Sequence, residues 1–233
     1  MKNLLLVKVR QILDAVICSP EPISLHELSE KFSIPSPTVS RIASDLVEMG
    51  LIEKIGYHHY ASGPGMVAFG DLGRRNCRLF RAAEPLVRNF AVNFNMNALL
   101  GGIYDDKLFQ VFSCGQVETN HRLLWRTGLA TTLLAADGVS KADAILLYNE
   151  EYPEADAAER LIFEQELDNA KKQKQLVRIS SMRQWSVSIP FICNGVTCAL
   201  CVFGAAPANR TPEGFCFDLS VLVSKIRSVS SMD

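Results

Sequence analysis

Apolar residues recur at helical spacing between Ser36 and Gly50, and polar side chains occupy the opposite face of the same stretch. The apolar positions are Val39, Ile42, Ala43, Leu46 and Val47. Ser36 is a good N-cap residue, Pro37 suits the first helical position, and Gly50 favours a left-handed stop. The pattern predicts one amphipathic helix.

The polar face of this helix has residue types that suit a DNA major groove. Hydroxyl groups can bind phosphates, and an arginine can bind a phosphate or a guanine edge. The candidate DNA-binding residues on the helix are Ser36, Thr38, Ser40, Arg41 and Ser44. The alternative interpretation is an ordinary amphipathic surface helix with no nucleic-acid partner.

The preceding sequence predicts a second helix and a tight turn. Ser24 is placed to cap a short helix over residues 25–32, and Glu27 can complete a capping box. Pro35 cannot continue that helix, so residues 33–35 are expected as a turn. Two short helices joined in this way form a helix-turn-helix.

The following sequence predicts a β-hairpin. Residues 51–55 and 60–63 read as strands, and residues 56–59 read as the turn between them. A hairpin directly after a helix-turn-helix is the wing of a winged DNA-binding domain. His58 and His59 at its tip are candidates for contact with phosphate or the minor groove.

The rest of the chain predicts linker helices followed by an α+β domain. Residues 4–18 are expected as a first helix, and residues 64–95 as a linker. Within the linker, Gly65, Gly70 and Gly73 are expected to form a hinge, and a further helix is expected to begin at 82–85. The later strands are expected at 98–104, 108–113, 183–192 and 196–203, and residues 105–107 are expected as the hairpin turn between the first two. The later helices are expected from 127, at 141–150, at 154–173 and after Thr211. Strand pairs interleaved with helices favour an antiparallel sheet covered by helices. The predicted domains are 1–63, 64–95 and 96–233.

Charge limits how DNA could be bound. The 233 residues carry a formal net charge of -1, and residues 1–63 hold 6 Lys or Arg against 7 Asp or Glu. A generic polycation is therefore excluded, and a few placed residues, a helix N-terminus and dimerisation would have to supply the affinity. We expect no membrane span, and the odd number of cysteines, 7, favours reduced thiols in a cytoplasm.

The sequence has few features of catalytic or metal-binding chemistry. Cys198 and Cys201 have CxxC spacing but fall in an apolar strand, where positions i and i+3 face opposite sides. The four histidines lie outside metal-ligand spacing, and there is no phosphate-binding glycine loop or nucleophile elbow. We therefore expect no enzyme activity, no metal and no cofactor.

With both halves considered, the sequence resembles the IclR family of bacterial transcriptional regulators. The helix-turn-helix at 23–41, the wing at 50–60, the small-residue helix start at 128–135 and the paired strands at 186–191 and 199–204 carry the resemblance. The resemblance implies a homodimeric or tetrameric repressor or activator that binds an operator in double-stranded DNA. It also implies a GAF-like α/β sensor domain that binds a small-molecule effector, often an organic or aromatic acid.

The effector site is predicted between the small-residue helix start and the two late strands. Small residues let backbone approach a ligand, a helix N-terminus favours a carboxylate, and strand hydroxyls can bind its polar groups. Cys201 and Phe203 stand where the family has strand serines, which implies a pocket that is more apolar or partly filled. The candidate effector-binding residues are Gly128, Leu129, Ala130, Thr131, Ser186, Ser188, Cys201 and Phe203.

The sequence is also compatible with two other functions. A winged helix can serve as a protein-interaction module, and the acidic balance of residues 1–63 keeps that alternative. A cysteine-based enzyme on the C-terminal domain would need a base beside a thiolate, and only His121 is available in that half.

Overall fold

The structure, a computed structural model, describes residues 4–104, 107–115, 121–180, 184–207 and 210–231. The chain divides into two compact units, Met1–Asn76 and Cys77–Asp233, here called the N-terminal and C-terminal units. This division falls inside the segment expected as a linker. The domain boundaries at 63 and 95 remain predictions.

The N-terminal unit is a winged helix-turn-helix, as the sequence predicted. Its elements are α1 (Leu4–Cys18), β1 (Ile23–Ser24), α2 (Leu25–Phe32), α3 (Ser36–Glu48), β2 (Ile52–Ile55), β3 (His59–Ser62) and α4 (Pro64–Asn76). The strands form an antiparallel sheet in the order β1-β3-β2. The predicted apolar face of α3 joins the core of this unit, with Val39, Ile42, Ala43 and Leu46 buried and Val47 packed against them.

Local sequence signals explain where α2 begins. Ser24 Oγ accepts a hydrogen bond from the Glu27 N–H at 3.2 Å, and the Glu27 carboxylate accepts one from the Ser24 N–H at 2.7 Å. This reciprocal pair confirms the predicted capping box. The hydrogen bonds from Ser24 lower the pKa of Glu27.

The start of α3 and the wing differ in detail from expectation. Ser36 is the first residue of α3 rather than its cap, because the carbonyl of Pro35 accepts the first helical N–H bonds, from Thr38 at 2.8 Å and Val39 at 3.1 Å. Gly50, at φ +70°, follows the end of the helix as predicted. His59 belongs to β3, where it pairs with Ile55, so the turn is one residue shorter than expected.

The C-terminal unit is a five-stranded antiparallel sheet with helices on both faces, which confirms the predicted α+β class. Its elements are α5 (Arg78–Phe94), β4 (Asn97–Tyr104), β5 (Lys107–Cys114), α6 (His121–Arg126), α7 (Leu129–Ala136), α8 (Lys141–Glu151), α9 (Ala157–Gln173), β6 (Leu176–Ile179), β7 (Gln184–Cys193), β8 (Val196–Ala205) and α10 (Pro212–Ser231). The strand order is β5-β4-β8-β7-β6.

Strand alternation divides the interior of this unit into two cores. Helices α5 and α10 cover one face, where Leu100, Cys198 and Val202 are buried. Helices α6, α7 and α9 cover the other face, where Leu99 and Cys201 are buried. Cys198 and Cys201 therefore lie on opposite faces of the sheet, as the strand period required.

Several elements of the C-terminal unit correct the sequence prediction. Pro85 lies inside α5 instead of near its start; the ring is exposed while the opposite face of the helix packs into the core. Helix α9 begins only after Asp156, which forms a capping box with Glu159. Lys107 belongs to β5, and the elements α6 and β6 were not predicted. The expected turn residues 105–106 and the expected strand start Arg183 lie outside the described residues.

No helix in the described part of the chain is long and apolar enough to cross a membrane.

Candidate functional sites

The exposed face of α3 presents the candidate DNA-binding residues together. Ser36, Arg41 and Ser44 are exposed, and Thr38 and Ser40 are half-buried along the same helix. One positive charge and four hydroxyls thus share a surface, and Asp45 and Glu48 lie farther along the helix. This arrangement suits phosphate binding near the helix N-terminus better than along its whole length.

A hydrogen-bonded turn fixes α3 against α2. Ser29 Oγ donates to the carbonyl of Ile34 at 2.7 Å and lies 3.1 Å from the hydroxyl of Ser36. Ser33 at the turn adopts φ +51°, and its N–H donates to the carbonyl of Glu30 at 3.2 Å. The Ser36 hydroxyl therefore has a partner within the protein, which the sequence did not indicate.

The wing carries its two histidines in different conformations. His58 is exposed at φ +60°, and its carbonyl accepts a hydrogen bond from the N–H of Leu25 at 3.2 Å, which fastens the wing to the start of α2. His59 Nδ1 lies 3.0 Å from the carbonyl of Tyr57. Tyr57 is 82% exposed, and together with exposed Lys54 it adds wing residues that sequence reasoning did not single out.

A cavity of about 930 Å³ opens in the C-terminal unit beside the ends of β6, β7 and β8. It is lined by Asn97, Leu123, Arg126, Thr127, Glu166, Val177, Arg178, Ile179, Ser180, Gln184, Trp185, Ser186, Phe203 and Gly204. Its volume lies within the range of roughly 300–1,000 Å³ that is usual for small-molecule sites. Its wall combines aromatic and aliphatic side chains with a few polar groups.

Of the eight candidate effector-binding residues, Ser186 and Phe203 line this cavity. The other six are buried beside it, where α7 packs on the sheet: Gly128, Leu129, Ala130, Thr131, Ser188 and Cys201. The structure therefore brings all eight into one region of the unit, but only two reach the open space. Their role in ligand binding remains a prediction.

Hydroxyls predicted to bind a ligand instead bind the segment before α7. Ser186 Oγ donates to the carbonyl of Thr127 and lies 3.3 Å from Cys201 Sγ. The hydroxyls of Ser188 and Thr132 are hydrogen-bonded to each other, and Thr132 Oγ1 also donates to the carbonyl of Gly128 at 3.0 Å. These bonds hold the helix start to the strands, so the local geometry is set by the protein itself.

An arginine that sequence reasoning missed joins three elements at the cavity wall. Arg178 on β6 donates to both carboxylate oxygens of Glu166 on α9, with Nε 2.8 Å from Oε1. Its Nη1 donates to the carbonyls of Trp125 at 2.8 Å and Arg126 at 2.9 Å, at the end of α6. No sequence signal indicated this site, because β6 and α6 were not predicted and the partners are distant along the chain.

Gly128 allows this arginine to lie close to the start of α7. Gly128 adopts φ +79°, and a Cβ at this position would lie 2.7 Å from Leu176 Cδ2 and 3.2 Å from Arg178 Cζ and Nε. The close approach that the sequence suggested for a ligand is therefore made by two side chains of β6.

The pKa values of the buried cysteines Cys198 and Cys201 are shifted in the opposite direction from that of a catalytic thiol. Burial raises the pKa of Cys198 to about 12 and that of Cys201 to about 11. A nucleophilic cysteine needs a lowered pKa and an adjacent base. These two thiols are poor candidates for the cysteine-enzyme alternative, and the side chain of His121 lies outside the described residues. Among the described residues, no group of three His, Cys, Asp or Glu side chains could hold a metal ion.

Comparison with known families identifies the N-terminal fold. Residues 5–56 match the family model of the IclR helix-turn-helix domain. This range covers α1 except its first residue, the helix-turn-helix and the first strand of the wing. No curated protein matches the sequence significantly.

Solved structures share the architecture of the whole chain. An IclR family transcriptional regulator from Brucella abortus matches with a TM-score of 0.63 at 18% identity, covering 99% of this chain and 93% of the other. An IclR transcriptional regulator from Alicyclobacillus acidocaldarius matches with a TM-score of 0.56 at 13% identity, covering 99% of both chains. An IclR homologue from Microbacterium hydrocarbonoxydans, complexed with 4-hydroxybenzoate, matches with a TM-score of 0.52 at 14% identity, covering 97% of this chain and 98% of the other.

Proposed function

We propose that the chain is an IclR-type regulator of transcription, because residues 5–56 match the IclR helix-turn-helix family model. It would bind DNA in a sequence-specific manner under the control of a small-molecule effector. The observation that carries this proposal is the family match over residues 5–56, combined with an exposed polar face on the helix α3 inside that range. The protein would act in the cytoplasm, without catalysis, as a repressor or an activator.

The proposed DNA-reading element is α3, with Arg41 as its base-reading residue. Arg41 is the one basic side chain in α3, and it is exposed. If it binds a guanine edge, Arg41→Ala should cost about 1–3 kcal/mol of binding free energy and relax specificity at one position. Ser44→Ala, which removes a proposed phosphate contact, should weaken binding to all sequences alike.

Quantitative gel shift with the protein's own upstream DNA, at matched salt, tests this assignment. Arg210→Ala is the matched control, because it removes one arginine charge from the C-terminal unit. Equal operator affinity for Arg41→Ala and wild type would exclude Arg41 as a reader. Failure of the wild type to bind any fragment of that DNA would instead favour the protein-interaction alternative.

We further propose a homodimer, with a tetramer as the alternative assembly. One winged unit with little net charge offers few contacts, so two units should act together on a pseudo-palindrome with half-sites about 10 bp apart. The exposed apolar side chains of α1 and α4 support this: Leu4, Leu6, Val67, Phe69 and Leu72. Most of the apolar side chains of α5, by contrast, pack into the C-terminal core.

Sedimentation of the wild type and of Phe69→Asp tests the dimer. The substitution places a charge on the exposed apolar face of α4 and should shift the population towards monomer while the helix itself persists. A wild-type monomer at micromolar concentration that still protects a full operator would contradict the proposal.

The proposed effector site is the cavity at the ends of β6, β7 and β8, and the proposed effector is an organic or aromatic acid. The apolar wall of Trp185 and Phe203 supports this assignment. The 4-hydroxybenzoate complex of the Microbacterium homologue supports the ligand class. Such an effector should change operator affinity by about 5- to 150-fold, the usual range of coupling between two sites. A set of aromatic acids that leaves operator affinity unchanged would oppose this part of the proposal.

A further inference from the structure

The charged side chains around the effector cavity differ in whether they are already paired. Two guanidinium groups, those of Arg126 and Arg178, and one carboxylate, that of Glu166, line the cavity. We infer that the cavity takes a monocarboxylate anchored by Arg126, and that Glu166 excludes a second carboxylate. This inference rests on the proposed effector function and names the residues that would select the ligand.

Arg178 is not available as the anchor. Its guanidinium binds both oxygens of Glu166 and the carbonyls of Trp125 and Arg126, so all three of its nitrogens have acceptors. Bidentate pairing of this kind is the strong form of an arginine–carboxylate contact. The pair is also shielded, with 27% of the Arg178 side chain and 20% of the Glu166 side chain exposed. A ligand would have to break this contact to reach Arg178.

Arg126 has no such partner among the described residues. It is exposed at the end of α6, it lines the cavity, and its guanidinium forms no ion pair or hydrogen bond with any residue that the structure describes. Since Glu166 neutralises Arg178, the net positive charge of the described lining residues is carried by Arg126. A planar guanidinium with free N–H groups is well matched to one carboxylate.

The rest of the wall is suited to the body of an acid rather than to a second charge. Trp185, Phe203 and Val177 provide apolar surface, and Ser180 and Gln184 provide neutral polar groups. A second carboxylate inside the cavity would find no unpaired cation among the described lining residues once Arg126 is occupied, because Glu166 already binds Arg178. A carboxylate that loses water without gaining a cationic partner is unfavourable, so a dicarboxylate should bind less tightly than the corresponding monocarboxylate.

Titration calorimetry on the full-length protein without DNA tests the anchor. The probes are benzoate, 4-hydroxybenzoate and phenylacetate, each paired with its neutral amide. At least one acid should bind the wild type while its amide does not, and Arg126→Gln should weaken that acid by roughly 10- to 100-fold, as expected for loss of a charge-assisted hydrogen bond. Arg122→Gln is the matched control, because Arg122 lies on the same helix, is paired with Glu151 and does not line the cavity.

Terephthalate tests the role of Glu166. It should bind the wild type more weakly than benzoate, and Glu166→Gln should reverse or remove that preference because Arg178 loses its anionic partner and can bind the second carboxylate. Glu164→Gln, on the same helix but paired with Lys141, should keep the wild-type preference.

The inference is overturned if none of the acids binds the wild type, if acids and amides bind alike, or if Arg126→Gln binds like the Arg122→Gln control. Unchanged preference against terephthalate in Glu166→Gln overturns the exclusion step alone. Operator binding is measured separately by gel shift without effector. A protein that binds the operator but none of the acids would contradict the ligand inference and leave the DNA-binding proposal intact.

Discussion

Substitution of Gly128 by alanine tests whether the start of α7 is shaped by the side chains of β6. Gly128 adopts φ +79°, a conformation that costs an L-residue about 1–2 kcal/mol. The added Cβ would also lie 2.7 Å from Leu176 Cδ2 and 3.2 Å from Arg178 Cζ and Nε. The free energy of unfolding should therefore fall for two separable reasons.

Gly138 separates these two contributions. It has the same φ of +79°, but a Cβ there meets no heavy atom within 4 Å. Gly138→Ala should cost only the backbone strain, about 1–2 kcal/mol. Gly128→Ala should cost about 1–3 kcal/mol more, the usual cost of overpacking a filled site.

The upper end of that range requires Arg178 to lose its bonds to Glu166. Because 27% of the Arg178 side chain and 20% of the Glu166 side chain are exposed, solvent screens the pair. Rearrangement of Leu176, which is 5% exposed, sets the lower end.

Urea unfolding followed by tryptophan fluorescence measures both variants. The chain has 2 tryptophans, Trp125 and Trp185, and both lie in the C-terminal unit, so the signal reports this unit. The midpoint and the slope together give the free energy of unfolding. If the two alanine variants lose the same free energy within about 0.5 kcal/mol, the contact of Gly128 with β6 does not constrain the helix start.

Four further outcomes follow from the structure. Ser24→Ala should destabilise the N-terminal unit by about 1 kcal/mol through loss of the capping bond, as measured by hydrogen exchange in α2. Ser24 lowers the pKa of Glu27 in the folded state, so the stability that this carboxylate provides is present above its unfolded pKa and is lost as pH falls through the folded pKa. Circular-dichroism melts should therefore show a smaller loss of stability at acid pH for Glu27→Gln than for the wild type. Burial raises the pKa of Cys201 to about 11, so iodoacetamide at neutral pH should label the exposed Cys77 but not Cys201, as detected by mass spectrometry. Equal labelling of the two cysteines would support the cysteine-enzyme alternative. Phe215→Ala should cost about 3–5 kcal/mol in the fluorescence assay, because Phe215 on α10 is 0% exposed in the core between this helix and the sheet. A loss below about 1 kcal/mol would contradict that packing.

Local sequence signals determined much of the fold. The apolar spacing of α3, the capping box of Ser24 and Glu27, and the stop at Gly50 all act within a few residues. Thr211 likewise accepts a hydrogen bond from the N–H of Gly214 at 3.2 Å at the start of α10. These features are predictable because each depends on neighbours in the chain, and the exposed polar face of α3 followed from them.

Tertiary structure decided what the candidate effector site is made of. Strand β6 has four residues at the edge of the sheet, too short a segment for its pattern to stand out, and it carries Arg178. The partners of Arg178 are Glu166 on α9 and the carbonyls at the end of α6, 12 and 52–53 positions away. The hydroxyl of Ser186 was predicted for a ligand but binds the carbonyl of Thr127, 59 positions away. The sequence could supply the residue types, but only the folded chain decides which polar groups satisfy one another and which, like the guanidinium of Arg126, are left facing the cavity.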